Sequence, residues 1–176
     1  LETFSELYRY NVDKFDRNVP LKDEMNNVEG YIRLQRERFG DRIEFNVRCD
    51  KELLEVRVPC LVIQPLVENA ISHGLKNRTE GGKVDVNIYK NDREFILSVS
   101  DNGCGMDEDA LYRLYNKVCG LHGERDDGEH TSIGLTNVYQ RMRLFFGEQL
   151  RFSAKNAPGE GFEVVLHVPL KGDDAP

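Results

Sequence analysis

Three short stretches hold residue types that can do chemistry together. The first is Gln64-Pro65-Leu66-Val67-Glu68-Asn69-Ala70-Ile71-Ser72-His73-Gly74. Glu68 and Asn69 interrupt an otherwise apolar helical pattern, although Asn costs a helix interior roughly 0.5 kcal/mol against Ala. A neutral amide oxygen is a hard donor. It suits a Mg²⁺ ion that keeps several waters and takes its other ligands from phosphate. His73 follows Asn69 by four residues, the spacing that puts two side chains on one helix face, where the imidazole can approach a phosphate. The same pattern also fits an amphipathic helix whose polar face meets solvent.

The second stretch is Asp101-Asn102-Gly103-Cys104-Gly105, directly after an alternating run. A carboxylate at a strand end can accept a hydrogen bond from the exocyclic amino group of adenine and would repel the carbonyl of guanine. Glycines let backbone come close to such a ligand. Asp-Asn-Gly is equally good chemistry for an ordinary turn. The third stretch is Ser132-Ile133-Gly134-Leu135-Thr136-Asn137. A glycine at a helix start leaves backbone N–H groups open, and with the helix dipole these form an anion site. A plain helix start capped by Ser132 is the alternative.

Positioning these residues requires a set of elements that the periodicity supplies. Leu1, Phe4, Leu7, Tyr8 and Phe15 predict a helix within residues 1–17. After Asn18-Val19-Pro20 interrupts, a second helix is expected at 21–39, stopped by Gly40. Both helices read as an arm rather than as part of a sheet. Ile43, Phe45 and Val47 alternate as a half-buried strand, and Val56 and Val58 predict a short strand before Pro59. Residues 60–76 read as one helix. Gly81-Gly82 opens a pair of strands, marked by Val84, Val86, Ile88 and by Phe95, Leu97, Val99, with Asn91-Asp92 turning the chain between them. A short helix is expected at 107–115, a loop from 119 to 132, a helix from Gly134 ending at Gly147, strands at 149–155 and 161–168, and a frayed tail from Lys171. Without a regular βαβ repeat, the sheet should be mixed and mainly antiparallel, with helices on one face.

Composition narrows the function. The 176 residues suit about one domain, and the 39% apolar fraction can fill a core. A net charge of −7 argues against nucleic acid as the primary partner. Cys49, Cys60, Cys104 and Cys119 form no Cys-x-x-Cys pair, so zinc spacing is absent and all four read as reduced thiols. His122, His130 and His167 have no evident partners and read as loop or surface residues. Neither a Gly-x-x-x-x-Gly-Lys-Ser/Thr stretch nor a Gly-x-Gly-x-x-Gly after the first strand occurs, so a P-loop is excluded and a dinucleotide fold unsupported. No apolar run approaches the ~18 residues of a membrane span. The chain opens mid-pattern at Leu1 without Met, which suggests a piece of a longer protein.

Asn69 and Asp101 lie 32 positions apart, and Asp101 and Gly134 lie 33 apart. Those three pieces, in that order, resemble the ATP-binding domain shared by histidine kinases, DNA gyrase, the 90-kDa heat-shock chaperones and the MutL mismatch-repair proteins. Within that family the chain is most similar to bacterial sensor histidine kinases of the LytS/YesM type. The resemblance rests on Gln64–Gly74, on Leu7-x-Arg9-Tyr10, on Tyr31-Ile32-x-Leu34-Gln35-x-x-Arg38-Phe39, and on Gly134-Leu135-x-Asn137-Val138-x-x-Arg141. It implies a two-layer α/β sandwich of the Bergerat (GHKL) type, an α+β fold holding ATP between helices and sheet.

By resemblance, Asn69 would ligate Mg²⁺, Asp101 would read adenine, and Gly103, Gly105 and Met106 would shape the pocket. His73 would approach phosphate, Gly134, Leu135 and Thr136 would offer N–H groups to phosphates, and Glu68 would orient the acceptor or a metal-bound water. Residues 106–131 would be the ATP lid. Residues 1–39 would belong to the helical dimerisation and phosphotransfer region, 40–170 to the ATP-binding catalytic domain, and 171–176 to a tail. The implied reaction passes the γ-phosphoryl group of ATP to a histidine and then to an Asp of a response regulator receiver domain. The implied setting is the cytoplasmic part of a membrane protein that is a homodimer at full length and works on its own phosphoacceptor helix.

Three departures stand out. The phosphoacceptor phrase Pro-His-Phe-x-x-Asn is absent from these residues, so the chain alone should bind ATP without phosphorylating itself. Ser132 stands where the family often has a first glycine. Gly161-Phe162 replaces a Gly-Thr whose hydroxyl normally helps the Asp hold adenine. A module with degenerate kinase activity is therefore a second expectation. An ATPase of the chaperone type is a third, disfavoured because Pro65 stands four before Asn69, where those relatives place a Glu.

Overall fold

The computed structural model describes residues 18–120 and 133–170. The chain starts with strand β1 (Asn18–Pro20) and helix α1 (Leu21–Phe39), then strands β2 (Ile43–Cys49) and β3 (Arg57–Pro59). Helix α2 (Gln64–Asn69) runs into a π-turn at Ala70–Gly74, followed by β4 (Gly82–Lys90) and β5 (Glu94–Asp101). Helices α3 (Glu108–Cys119) and α4 (Ile133–Phe146) and strands β6 (Arg151–Ala157) and β7 (Gly161–Pro169) complete it.

The main sheet has five strands in the order β2-β4-β5-β7-β6. Only β2 and β4 run parallel; the other three pairings are antiparallel. The expected mixed, mainly antiparallel sheet is what forms. A parallel pair needs a crossover connection, and the segment between β2 and β4 carries α2. The Asn69 helix is thereby laid across one face of the sheet.

Alternation on the strands buries Val84, Val86 and Ile88 of β4, Phe95, Leu97 and Val99 of β5, and Val164, Leu166 and Val168 of β7. Leu21, Met25, Val28 and Ile32 of α1 and Leu135, Val138, Met142 and Phe146 of α4 join the same core. Their i, i+3, i+4 spacing gives each helix one apolar stripe. Phe95 meets Phe146 edge to face, with ring centroids 6.0 Å apart. Helix α1, placed by sequence in an arm, shares this core with the sheet.

Several elements differ from expectation, each for a local reason. The helix predicted at 60–76 begins only at Gln64. Leu61 has a left-handed φ of 59°, and the N–H groups of Leu61, Val62 and Ile63 are taken by the Glu24 carboxylate at 2.7, 2.8 and 3.3 Å. A side chain from α1 thus replaces the first helical turn. Residues 18–20, read as an interruption, form β1 and pair antiparallel with β3. Helix α3 extends past residue 115 to Cys119. Asp107 caps it by accepting the Ala110 N–H at 2.7 Å, a bond worth about 1 kcal/mol. Within residues 106–131, expected as the lid, the helix foreseen at 107–115 thus runs from Glu108 to Cys119. The helix expected in 1–17, the loop 121–132 and the tail 171–176 lie outside the described residues. Strand β6 starts at Arg151 rather than 149 because Leu150 N–H closes a turn onto the Gly147 carbonyl at 3.2 Å.

Candidate functional site

Asp101 ends β5, in register with Phe162 at the start of β7. Its Oδ1 accepts the Gly103 N–H at 2.8 Å, and the Phe162 N–H also bonds to its carboxyl. Burial pushes the Asp101 carboxyl up to about 6, against the opposing pull of those two N–H groups. An ionised carboxylate has about four acceptor positions, so two remain for a ligand. The side chain that replaces the expected Thr is apolar, but the Phe162 main chain still donates to Asp101.

Glycine is required around this carboxylate. A Cβ on Gly74 would overlap the Asp101 carboxyl group, and one on Gly103 would overlap the Gly74 carbonyl. Gly161 sits at φ 140°, and a Cβ there would run into the Asp101 main chain. Gly105 has φ 64° and backs onto the Ala157 carbonyl, 2.8 Å from where a Cβ would stand. The turn is fixed further by the Cys104 N–H donating to Gly74 O at 3.1 Å and the Gly159 N–H donating to Cys104 O at 2.7 Å. The end of the π-turn, the Asp101 turn and the β6–β7 hairpin are thus locked together at backbone distance.

Asn102 faces away from this work. Its Oδ1 accepts the Lys83 N–H at 2.8 Å and its Nδ2 donates to Gly81 O at 2.9 Å, which ties it to the start of β4. Met106 is half-buried. Its N–H donates to Asn156 Oδ1 at 2.7 Å and its carbonyl accepts from Asn156 Nδ2 at 2.8 Å. Asn156 acts as a two-bond clip on the glycine turn. Sequence reasoning missed it, and its only signal is an amide side chain placed at the end of a strand.

Asn69 is the last residue of α2 and is half-buried. Among the described residues its carboxamide has no hydrogen-bond partner. Gly134 faces it: a Cβ on Gly134 would lie 3.6 Å from Asn69 Nδ2 and 3.8 Å from Oδ1. Two of the three sequence stretches therefore meet directly, with the first turn of the 14-residue α4 lying over the free amide. The first N–H groups of a helix have no intrahelical acceptor, and no acidic residue stands in the first turn of α4 to repel an anion. Gly134, Leu135 and Thr136 all fall in that turn. Leu135 is a core residue, and the Thr136 hydroxyl is buried without a partner.

Glu68 and His73 are placed less directly. Glu68 accepts from Gln64 Nε2 at 2.7 Å, one turn back on the same helix. Its charge helps raise the Tyr31 hydroxyl to about 12, behind the larger effect of burial. His73 is exposed. Burial first, and Lys76 second, hold its imidazole below the ordinary 6.5. The expectation that it shares a face with Asn69 assumed α-helical spacing. The chain makes a wider π-turn here, with Leu75 N–H donating to Ala70 O at 3.0 Å, and residues four apart still lie near one face of such a turn.

A nucleotide and a metal ion can be tested against these residues. The free amide of Asn69, the helix start above it and the half-satisfied carboxylate of Asp101 fit a Mg²⁺–nucleotide, with metal at one end and an amino-bearing base at the other. Among the described residues no three His, Cys, Asp or Glu side chains converge. An ion held here would complete its shell with phosphate and water, as Mg²⁺ does.

Comparison with known proteins supplies the relatives. Residues 54–172 match the family described as histidine kinase-, DNA gyrase B-, and HSP90-like ATPase, and residues 1–43 match a histidine kinase family. The chain is 35% identical over 153 residues to the sensor protein LytS of Oceanobacillus iheyensis, covering 87% of this chain and 25% of that protein. It is 31% identical over 166 residues to the sensor histidine kinase YpdA of Escherichia coli, covering 94% of this chain and 27% of that protein. The chain thus spans about a quarter of the length of the curated relatives it matches. Among solved structures, the catalytic domain of histidine kinase ThkA superposes with a TM-score of 0.63 at 14% identity, over 90% of this chain and 97% of that one. The histidine kinase domain of a blue-light activated kinase from Erythrobacter litoralis gives 0.61 at 19% identity, over 98% and 74%.

Proposed function

The chain belongs to the histidine kinase-, DNA gyrase B-, and HSP90-like ATPase family, and from that premise we propose that it is the ATP-binding catalytic part of a sensor histidine kinase of the LytS type. The observation that carries the reading is the approach of Gly134 to the free amide of Asn69, which sets a helix start over a candidate metal ligand.

In this reading Asp101 accepts from the adenine amino group, with Gly74, Gly103 and Gly161 keeping the space around its carboxyl clear. Asn69 offers its amide oxygen to Mg²⁺, whose role is to neutralise phosphate charge. The N–H groups of Gly134, Leu135 and Thr136 face phosphate oxygens. Gly105 and Met106 shape the wall between base and phosphates. Glu68, held by Gln64, orients the acceptor or a water, and His73 remains a phosphate neighbour from the exposed end of the π-turn. Phosphoryl transfer needs little more than positioning and charge neutralisation. A neutral imidazole brings its own lone pair, so no strong base is required: the P–O bond to ADP breaks as an N–P bond to the acceptor histidine forms.

The acceptor histidine, a receiver-domain aspartate as second acceptor, a homodimeric full-length protein and a cytoplasmic position at a membrane are parts of the same proposal. The match to a histidine kinase family at residues 1–43 supports a phosphoacceptor region on that side. Among the described residues no helix is long and apolar enough to cross a membrane. Incubating the full-length protein with γ-labelled ATP tests the reading. It predicts acid-labile, base-stable label on a histidine. Nucleotide binding with no label on the protein or on a receiver domain would refute it.

A further inference from the structure

Residues 60–63 lead into α2 and are held from two sides by opposite charges. Glu24 of α1 is fully buried and accepts the N–H groups of Leu61, Val62 and Ile63 at 2.7, 2.8 and 3.3 Å. Arg141 of α4 donates to the Cys60 carbonyl at 2.7 Å and to the Leu61 carbonyl at 2.5 Å. One helix thus grips the donor side of this peptide and another the acceptor side. Directly behind it, Asn27 of α1 donates to Gln64 Oε1 at 2.9 Å, and Gln64 donates to Glu68 at 2.7 Å. Helix α4 reaches the Asn69 helix twice: at Arg141, where the chain enters α2, and at Gly134, beside Asn69.

From this arrangement we infer that Glu24 is a positioning residue for the nucleotide site: by fixing residues 61–63 it sets where α2 starts, and so where Asn69 stands under the first turn of α4. The inference rests on the nucleotide site proposed above. A carboxylate is the one side chain that can take three converging N–H groups. Its removal would orphan three donors, two of them buried, and each would seek another acceptor by moving the backbone. Any such movement also shifts the carbonyls that Arg141 holds. Because α1 supplies Glu24, how α1 docks on the core is coupled to nucleotide affinity. Coupling is reciprocal, so a bound nucleotide must tighten the Glu24 contacts.

The test uses the 176-residue chain, with Mg²⁺–ATP affinity measured well below the thermal transition of each variant. Glu24→Gln keeps shape but turns an amide toward the N–H groups, and Glu24→Asp withdraws the charge by one methylene. Both should lower Mg²⁺–ATP affinity about 5- to 50-fold, the range of ordinary coupling energies. Val28→Ala, a core change one turn along the same helix, should lower the melting temperature and leave affinity as it was. Folded Glu24 variants that bind like wild type would overturn the inference, as would equal losses from Val28→Ala. Should neither Glu24 variant fold, the wild-type chain decides. Saturating Mg²⁺–ATP should slow hydrogen exchange at Leu61, Val62 and Ile63 more than at Val86 in the sheet, and equal slowing at both refutes the coupling. Failure of wild type to bind Mg²⁺–ATP at all would instead remove the nucleotide site itself.

Discussion

Asp101 holds its turn and, in the proposed reading, also accepts from the base. The sequence alternatives of turn and base reader are not exclusive, because the Gly103 N–H uses only one acceptor position. Its protonation makes the site pH-dependent. The folded carboxyl titrates at about 6 against an ordinary 3.8. The folded state therefore keeps a proton that the unfolded chain has released, and this group makes stability fall as pH rises from about 4 to about 6. Protonation also removes the charged acceptor. Mg²⁺–ATP affinity should weaken as pH drops through about 6, and Asp101→Asn should lose that inflection, as read by titration at pH 5.5 and 7.5. At pH 7.5 the same variant should bind about 10- to 100-fold more weakly, the loss of a charge-assisted hydrogen bond. Asn69 and Asp101 were legible as residues because a polar side chain inside an apolar helix and a carboxylate at a strand end are both locally costly. Glu24 was not. One more acidic residue in a helix with many charges carries no local signal, and its role lies in partners 37 to 39 positions away.

At the scale of elements, the strands and the long helices followed from period-2 and period-3.6 burial. The start of α2 did not, since Glu24 and Pro65 together shift it to Gln64. The π-turn was equally hidden: nothing in Ala-Ile-Ser-His-Gly opposes an α-helix, and the bond pattern is set by packing against the Asp101 turn. That packing gives a sharp prediction. Gly103→Ala drives a methyl group into the Gly74 carbonyl. It should cost about 1–3 kcal/mol in urea unfolding, as overpacking does, together with most of the nucleotide affinity. The α3 cap gives a smaller prediction, read by urea unfolding. Asp107→Ala removes the bond to Ala110 and should cost about 1 kcal/mol.

For the whole molecule, a mixed sheet with helices on one face was legible from the order of elements, and its strand order was not. Placing β2 beside β4 in parallel depends on the crossover that α2 makes, a long-range choice that leaves no mark in either strand. The three chemical stretches, far apart in sequence, meet because that crossover lays Asn69 over the sheet, β5 ends at Asp101, and α4 returns across the same face. The central claim is that this meeting point binds Mg²⁺–ATP. Calorimetric titration of the 176-residue chain with ATP, with and without Mg²⁺, and of its Asn69→Ala variant, tests it most directly. Alanine is the better helix former, so the variant stays folded. The account predicts saturable one-site binding that needs Mg²⁺ and is lost in Asn69→Ala. No binding heat at millimolar nucleotide, or the same isotherm for both proteins, would contradict it.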